Sequence, residues 1–325
     1  MKKLLIILLL SVVFIPFAHA GDSKPIEMKL GHFAADAHEG NLASKMFAEA
    51  VEKRTNGAIK ITIYPNNALG APPEVLEQNI LGAVDMSLPT QGQLGKYSKK
   101  FNCVMLPFVF NDYAQADKVL DGPFLKWAAP DLDKAGLVFL SNWEWGFRNL
   151  TNSKHPVNVP ADVKGLKIRT PPELPTQAAM EALGAVVATI NFNELQMALK
   201  TGVVDGQENP INTIFTAKLY EVQKYIILTG HQTQNLCMII NEKFYQGLSP
   251  ELKAVFDKTA IDAGDYQSDL QVKVNKDNLE EMKKKGVLVN TVNRAEFAEK
   301  TKDAWRDFES KLGKGLYEKI VDAQK

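Results

Sequence analysis

Short β-rich runs alternate with helical stretches through most of this chain, and the alternation starts afresh near Arg148. Ile26 to Gly31 reads as a strand, and Gly40 to Arg54 as a helix carrying Leu42, Met46, Phe47, Ala50 and Val51 on one face. Asn56-Gly57 supplies a left-handed cap, Ala58 to Tyr64 alternates as a strand, and Pro72-Pro73-Glu74 opens the next helix. Val84 to Leu88 and Ala135 to Trp143 are further β-rich runs. After the restart, strands are expected at Leu166 to Thr170, Ala185 to Thr189 and Val203 to Gly206. Helices fall at Pro175 to Leu183, Phe192 to Thr201 and Pro210 to Glu221, and Tyr225 to Thr229 and Leu236 to Asn241 close two sheets. Such alternation implies βα units, mostly parallel sheets flanked by helices, and two α/β lobes with a ligand cleft beyond the strand ends.

The segment after Ser249-Pro250-Glu251 breaks this rhythm. It announces a helix that nothing terminates firmly until Gly286. A continuous helix of about 35 residues would be about 50 Å long, enough to run beside both lobes. The alternative is two helices broken near Ala263-Gly264-Asp265, because an interior glycine costs helix stability.

The chain opens with Lys2-Lys3, an apolar run from Leu4 to Phe17 and the small-residue site Ala18-His19-Ala20, so residues 1–20 read as a cleaved secretory leader. The run is shorter than the roughly 20 residues of a spanning helix, and Pro16 interrupts it. Export to the periplasm as a soluble monomer is the expectation. The 325 residues carry 38 basic and 38 acidic side chains, and losing Lys2 and Lys3 leaves 36 against 38. No overall field recruits nucleic acid or an anionic membrane. Any positive charge used on a ligand must therefore be local. The two cysteines, Cys103 and Cys237, sit in apolar stretches and read as buried thiols, although a bridge is possible chemistry in an oxidising compartment.

Two segments carry the ligand chemistry. Gly165-Leu166-Lys167-Ile168-Arg169 ends a strand on a guanidinium, and Val204-Asp205-Gly206-Gln207-Glu208-Asn209-Pro210 places amides where another strand opens into a helix. Arginine presents a planar fork that a carboxylate accepts two bonds at a time, and it stays charged at physiological pH. The combination suits capture of a small organic acid.

These segments, together with Leu30-Gly31-His32, Thr55-Asn56-Gly57, Tyr64-Pro65, Leu106-Pro107-Phe108, Gly146-Phe147-Arg148-Asn149-Leu150-Thr151-Asn152 and Ala198-Leu199-Lys200-Thr201-Gly202, occur in an ordered series along nearly all of the mature chain. The series resembles the substrate-binding proteins of TRAP (tripartite ATP-independent periplasmic) transporters. The resemblance implies a two-lobed, type II-like periplasmic binding protein, with residues 21–145 and 235–275 in one lobe and 146–234 and 276–325 in the other. It also implies a long helix spanning both lobes and delivery of ligand to a membrane permease driven by an ion gradient. In that family the arginine matching Arg169 forms a bidentate salt bridge to the ligand carboxylate, and Arg148 and Asn209 line the site. An aromatic at the position of Phe192 often covers the ligand.

Other residues are weighed from their chemistry. Arg148 can meet a second acidic group or pair with a nearby glutamate. Asn209 offers donor and acceptor, or serves as the turn residue before Pro210. Trp143 and Trp145 share one strand face, and Trp145 is a candidate to stack on a sugar-like ligand, with core packing as its alternative. Gln91, in the neutral loop Pro89-Thr90-Gln91-Gly92-Gln93, together with Asn191, Gln207 and Asn209, favours a hydroxyl-rich acid without an amine. Glu173 is a possible acceptor for ligand hydroxyls or a solvated loop charge. His32 and His38, with Asp36 and Glu39, match no zinc spacing, so contact with ligand or a gating loop is preferred to a metal. No cofactor is expected. A C4-dicarboxylate is the alternative to a sugar acid such as a uronate or aldonate, since Arg148 and Arg169 together would neutralise two carboxylates. A periplasmic enzyme is the alternative of another class, but no nucleophile elbow, phosphate loop, dinucleotide turn or HExxH helix occurs. The same pocket would also serve a sensor kinase.

Overall fold

The computed structural model describes residues 24–302 and 315–324, so the expected leader lies outside the described residues. Nine strands form one mixed sheet among them: β1 (Ile26–Gly31), β2 (Ile59–Tyr64), β3 (Met86–Ser87), β4 (Leu137–Asn152), β5 (Lys167–Thr170), β6 (Val186–Thr189), β7 (Gly206–Asn209), β8 (Tyr225–Asn241) and β9 (Leu288–Thr291). Their order is β2-β1-β3-β8-β4-β7-β5-β6, with β9 on β8. Parallel pairs join β1 to β2 and β3, and β5 to β6 and β7, as the βα units require. Each parallel set belongs to one of the two lobes. The antiparallel β4–β8 pair runs through both.

That central pair is longer than the sequence implies. Ala135 to Trp143 was expected to stop before Arg148, and β8 was expected as two strands. Instead β4 continues for 16 residues and β8 for 17. The segment Thr229-Gly230-His231-Gln232-Thr233-Gln234-Asn235 lacks apolar alternation, yet all of it except Gly230 is buried between the lobes. Its backbone pairs with β4 regardless of side-chain polarity. The register slips between Glu144 and Gly146 and again between Arg148 and Leu150, and Gly146 adopts φ 120°, open to glycine at little cost.

β7 also sits later than Val203 to Gly206. Val203 and Val204 instead close the preceding helix by bonding to Ala198 O, and Asp205 Oδ2 accepts from Lys167 N at 2.9 Å. The strand then begins at Gly206, where a Cβ would lie 2.0 Å from Thr151 O. Only glycine lets β7 come this close to β4. The helix after Pro210 ends early, at Thr216, and Lys218 turns the chain with φ 53°.

The core of the first lobe gathers Met28, Leu30, Phe47, Trp143, Leu236 and Phe256, with a second cluster around Phe101, Phe110 and Phe124. The second lobe packs Leu150, Ile168, Met180 and Phe297, and beyond them Leu195, Ile214, Ile226 and Met282. Cys103 and Cys237 are buried free thiols in the first lobe, and burial pushes Cys103 up to about 12. The terminal helix Leu316–Gln324 belongs with the first lobe rather than the second, to which residues 276–325 were assigned. Its Ile320 packs in the Phe101 cluster, and Gln324 Nε2 donates to Val109 O at 2.7 Å. No described helix is long and apolar enough to cross a membrane.

The long helix is unbroken from Pro250 to Lys284, capped by Ser249. Phe256, Ala260 and Ala263 face the first lobe, and Leu279 and Met282 face the second. Gly264 does not break it. A Cβ there would stand 2.9 Å from both Asn142 O and Trp143 Cδ1, so the missing side chain allows close packing on β4. Gly264→Ala raises intrinsic helix propensity by up to about 1 kcal/mol, yet overpacking of a fitted contact costs about 1–3 kcal/mol. Net destabilisation is expected in urea unfolding; an equal or higher midpoint would show that the helix can move off β4.

Candidate functional site

Residues from both lobes line a narrow cavity of about 20 Å³. That is about the room of one water molecule, far below the ~300–1,000 Å³ of a ligand pocket, so an organic acid needs more space than this arrangement of the lobes leaves. Arg148, Arg169, Glu173, Phe192 and Asn209 all line it, joined by Phe33, Thr90, Gln93 and Gln234.

Arg148 is already engaged. Its Nε donates to Glu208 Oε2, and its Nη2 donates to Glu208 Oε1 and to the Glu208 carbonyl, both at 2.6 Å. Nη1 donates to Gln234 Oε1. Burial alone would push the Glu208 carboxyl up, but the charge and hydrogen bonds of Arg148 outweigh it and hold Glu208 below the ordinary carboxylate range. His231 stands behind the pair, with Nε2 3.4 Å from Glu208 Oε2 and Nδ1 2.7 Å from Thr229 Oγ1. Of the two sequence readings for Arg148, pairing with a glutamate is the one that the geometry contains.

Arg169 is different. It is the penultimate residue of β5, is 1% exposed, and donates from Nε to Ile190 O at 2.8 Å. No carboxylate lies within ion-pair distance of it among the described residues. Burial brings it down to about 10, which leaves it cationic at neutral pH. Phe192 lies beneath its guanidinium at 5.9 Å and meets Phe33 of the first lobe edge to face at 5.2 Å. Glu173 crosses the cleft. Its Oε1 accepts from Thr90 Oγ1 at 2.5 Å and its Oε2 from Gln234 Nε2 at 3.3 Å. Gly92 leaves room for it, since a Cβ would fall 2.4 Å from Glu173 Oε2.

Of the remaining candidates, Gln207, Gln91, Trp145, His38 and His32 are not on the cavity wall. Asn209 donates to Gln207 Oε1 at 2.5 Å, while Gln207 reaches Thr151 Oγ1 at 3.0 Å in the second lobe. Gln91 is buried and donates to Asn142 Oδ1 at 3.4 Å. Trp145 is a core residue, stacked on His38 at 3.9 Å and tilted against Phe33. His38 Nδ1 accepts from Gly40 N at 3.1 Å and caps its helix, and Nε2 is 3.4 Å from Thr213 Oγ1 of the other lobe. His32 lines an adjoining chamber with Asn67, and the Asn41 side chain is a polar neighbour, although neither ring nitrogen makes a well-formed hydrogen bond among the described residues. Burial lowers His32 to about 4 and His38 to about 3, so both are neutral at pH 7. No metal-binding group forms among the described residues. Glu208, Phe33 and Gln234 are not singled out by the sequence, and Thr90 and Gln93 enter it only as parts of the neutral loop around Gln91. Alternation along a strand placed at 206–209 would have set Glu208 on the face opposite Gln207 and Asn209.

Two outcomes follow from these environments. Arg148→Ala strands Glu208 without its partner and is expected to cost about 3–5 kcal/mol of unfolding free energy; a loss below 1 kcal/mol would mean that the pair is solvated. Glu39 is buried next to His38 Nδ1, 3.1 Å away, and burial raises its carboxyl to about 7. The folded state therefore holds this proton where the unfolded chain has released it, and stability falls as pH rises from about 4.5 through about 7. Melting temperatures across that window are expected to slope less for Glu39→Gln than for the wild type; equal slopes would place the proton elsewhere.

The family described as bacterial extracellular solute-binding protein, family 7, matches residues 30–311. The 2,3-diketo-L-gulonate-binding periplasmic protein YiaO of Escherichia coli (strain K12) is 34% identical over 281 residues, covering 86% of each chain. The C4-dicarboxylate-binding periplasmic protein DctP of Rhodobacter capsulatus is 34% identical, over 92% of this chain and 88% of the relative. The solved sugar acid binding protein DctPAm of Advenella mimigardefordensis strain DPN7T, in complex with galactonate, superposes with a TM-score of 0.90 at 33% identity, covering 93% of this chain and 99% of that one. Its two-lobed fold and this match over most of its length make the chain a member of the DctP family, the solute-binding receptors of TRAP transporters, which are not enzymes.

Proposed function

We propose that this protein captures a sugar acid, of the aldonate or uronate kind, through a bidentate salt bridge from Arg169 to the ligand carboxylate. It then hands the acid to the membrane permease of a TRAP transporter. The protein acts as a monomer in the periplasm once its leader is removed. The observation that carries this reading is a buried guanidinium in the cleft cavity with no carboxylate paired to it among the described residues. Such a cation is costly to bury alone, and an incoming carboxylate offsets that cost with two charge-assisted bonds.

Neutral polar groups supply the rest of the site. Thr90, Gln93, Asn209 and Gln234 offer hydroxyl and amide partners for ligand hydroxyls, and Phe192 with Phe33 offers an apolar wall. Residues of both lobes wall the cavity, so the acid enters an opened form and the lobes close on it. The C4-dicarboxylate reading depended on two free arginines. Arg148 is spent on Glu208, and what favours that reading is three relatives named for C4-dicarboxylates and two similar solved structures with bound succinate.

Losing one partner of a buried charge pair costs about 2–5 kcal/mol, roughly thirty- to several-thousand-fold in affinity. Arg169→Ala is therefore expected to abolish micromolar binding of hydroxy acids in calorimetry, and Arg169→Lys to leave it unrestored because an ammonium lacks the planar fork. Micromolar binding by Arg169→Ala would remove Arg169 from the site.

A further inference from the structure

We propose that Glu173 is the specificity-determining residue of this cavity: it admits ligands with one carboxylate and rejects those with two. The inference rests on the reading of Arg169 as the carboxylate anchor.

Four ionisable groups cluster here: Arg148 from β4, Arg169 from β5 and Glu173 from the start of the helix Leu174–Ala182 line the cavity, and Glu208 from β7 is buried against Arg148, with neutral His231 behind them. Every other residue lining the cavity is uncharged. Arg148 and Glu208 cancel through their bidentate pair. With Glu173 ionised, the whole set sums to zero; with Glu173 protonated, one positive charge remains. Neither state balances two carboxylates. A monoacid is matched by Arg169, whereas the far carboxylate of a diacid meets Glu173 and finds no cation.

The geometry holds the Glu173 carboxyl in place for this role. Thr90 Oγ1 accepts from Gln93 N at 3.3 Å, so its hydroxyl proton is directed to Glu173 Oε1. Gln234 Nε2 donates to the other oxygen. Both oxygens are thus acceptors, and Gly92 packs directly against the group. On balance burial raises this carboxyl, with Arg148 and the Thr90 hydrogen bond opposing the rise; an ionised Glu173 repels a second carboxylate, and in either state no free cation beyond Arg169 is left for it. Like charges brought together in a dry site discriminate strongly between ligands.

Two ligand pairs isolate the effect, erythronate with meso-tartrate and galactonate with galactarate. Within each pair the ligands share a carbon skeleton and differ in whether the far end is a hydroxymethyl or a carboxylate. Calorimetry at pH 7.5 on the mature protein is expected to show at least a hundredfold preference for the monoacid in whichever pair binds. Glu173→Gln, which keeps the shape and the Thr90 bond, is expected to shrink that preference at least tenfold. Thr90→Val removes the bond and keeps the charge; it is expected to weaken both members alike and leave the ratio unchanged. An unchanged ratio in Glu173→Gln overturns the proposal, and so does a wild type that binds the diacid as tightly as the monoacid. The wild-type ratio stands as a test even if the variant does not fold. Loss of monoacid binding in Arg169→Ala alongside equal wild-type affinities would overturn the filter and leave the anchor intact; no binding of any acid by the wild type would overturn both.

Discussion

The arrangement of this molecule turns on one buried ion pair. Arg148 and Glu208 are 2% and 0% exposed, and each such charge costs several kcal/mol to remove from water. The cost is offset because Glu208 takes hydrogen bonds on both carboxylate oxygens and on its carbonyl, and Gln234 takes a further donor of Arg148. These residues sit where β4, β7 and β8 adjoin, so the pair fixes how the second lobe's strands meet the strands that cross from the first. β5 is then set beside β7 with Arg169 opposite Gln207. One arginine is consumed in building the site, which leaves the other as its unpaired cation. The division of labour between two similar side chains is a matter of neighbours rather than of residue type.

Much of the architecture was legible because hydrophobic periodicity and turn residues report it directly. The helix Glu39–Arg54 begins and ends within a residue of its expected span, and β2 lies within the expected run. What periodicity could not show was the crossing between lobes. Gly146 to Asn149 and Thr229 to Asn235 are strand residues whose side chains are mostly polar and buried, and period-two alternation is silent where both faces are polar. The same silence hid Glu208 and Gln234, which lie within such stretches. Gly264 failed in the opposite sense. Propensity marks it as a weak point, whereas contact with Asn142 and Trp143 makes it a place where two elements approach. Arg169 was legible from a strand ending on a guanidinium, but its freedom from internal pairing is a three-dimensional fact.

The histidines show how burial redirects a suggestive residue type. His38 spends one nitrogen on capping its own helix and its ring on stacking with Trp145, so it shapes the wall behind Phe33 instead of lining the cavity. Trp145 is removed from the cavity surface by the same stack. The aromatic face left toward the cavity is that of Phe33 and Phe192, one from each lobe.

The two long central strands carry a consequence for how the molecule comes apart. Neither lobe owns a complete set of strands, because cutting between them would sever β4 and β8 in mid-length and split the hydrogen-bonded ladder that both cores lean on. Excised halves would each inherit an open sheet margin, the kind of edge that invites aggregation. Heating is therefore expected to melt the two lobes as one cooperative unit.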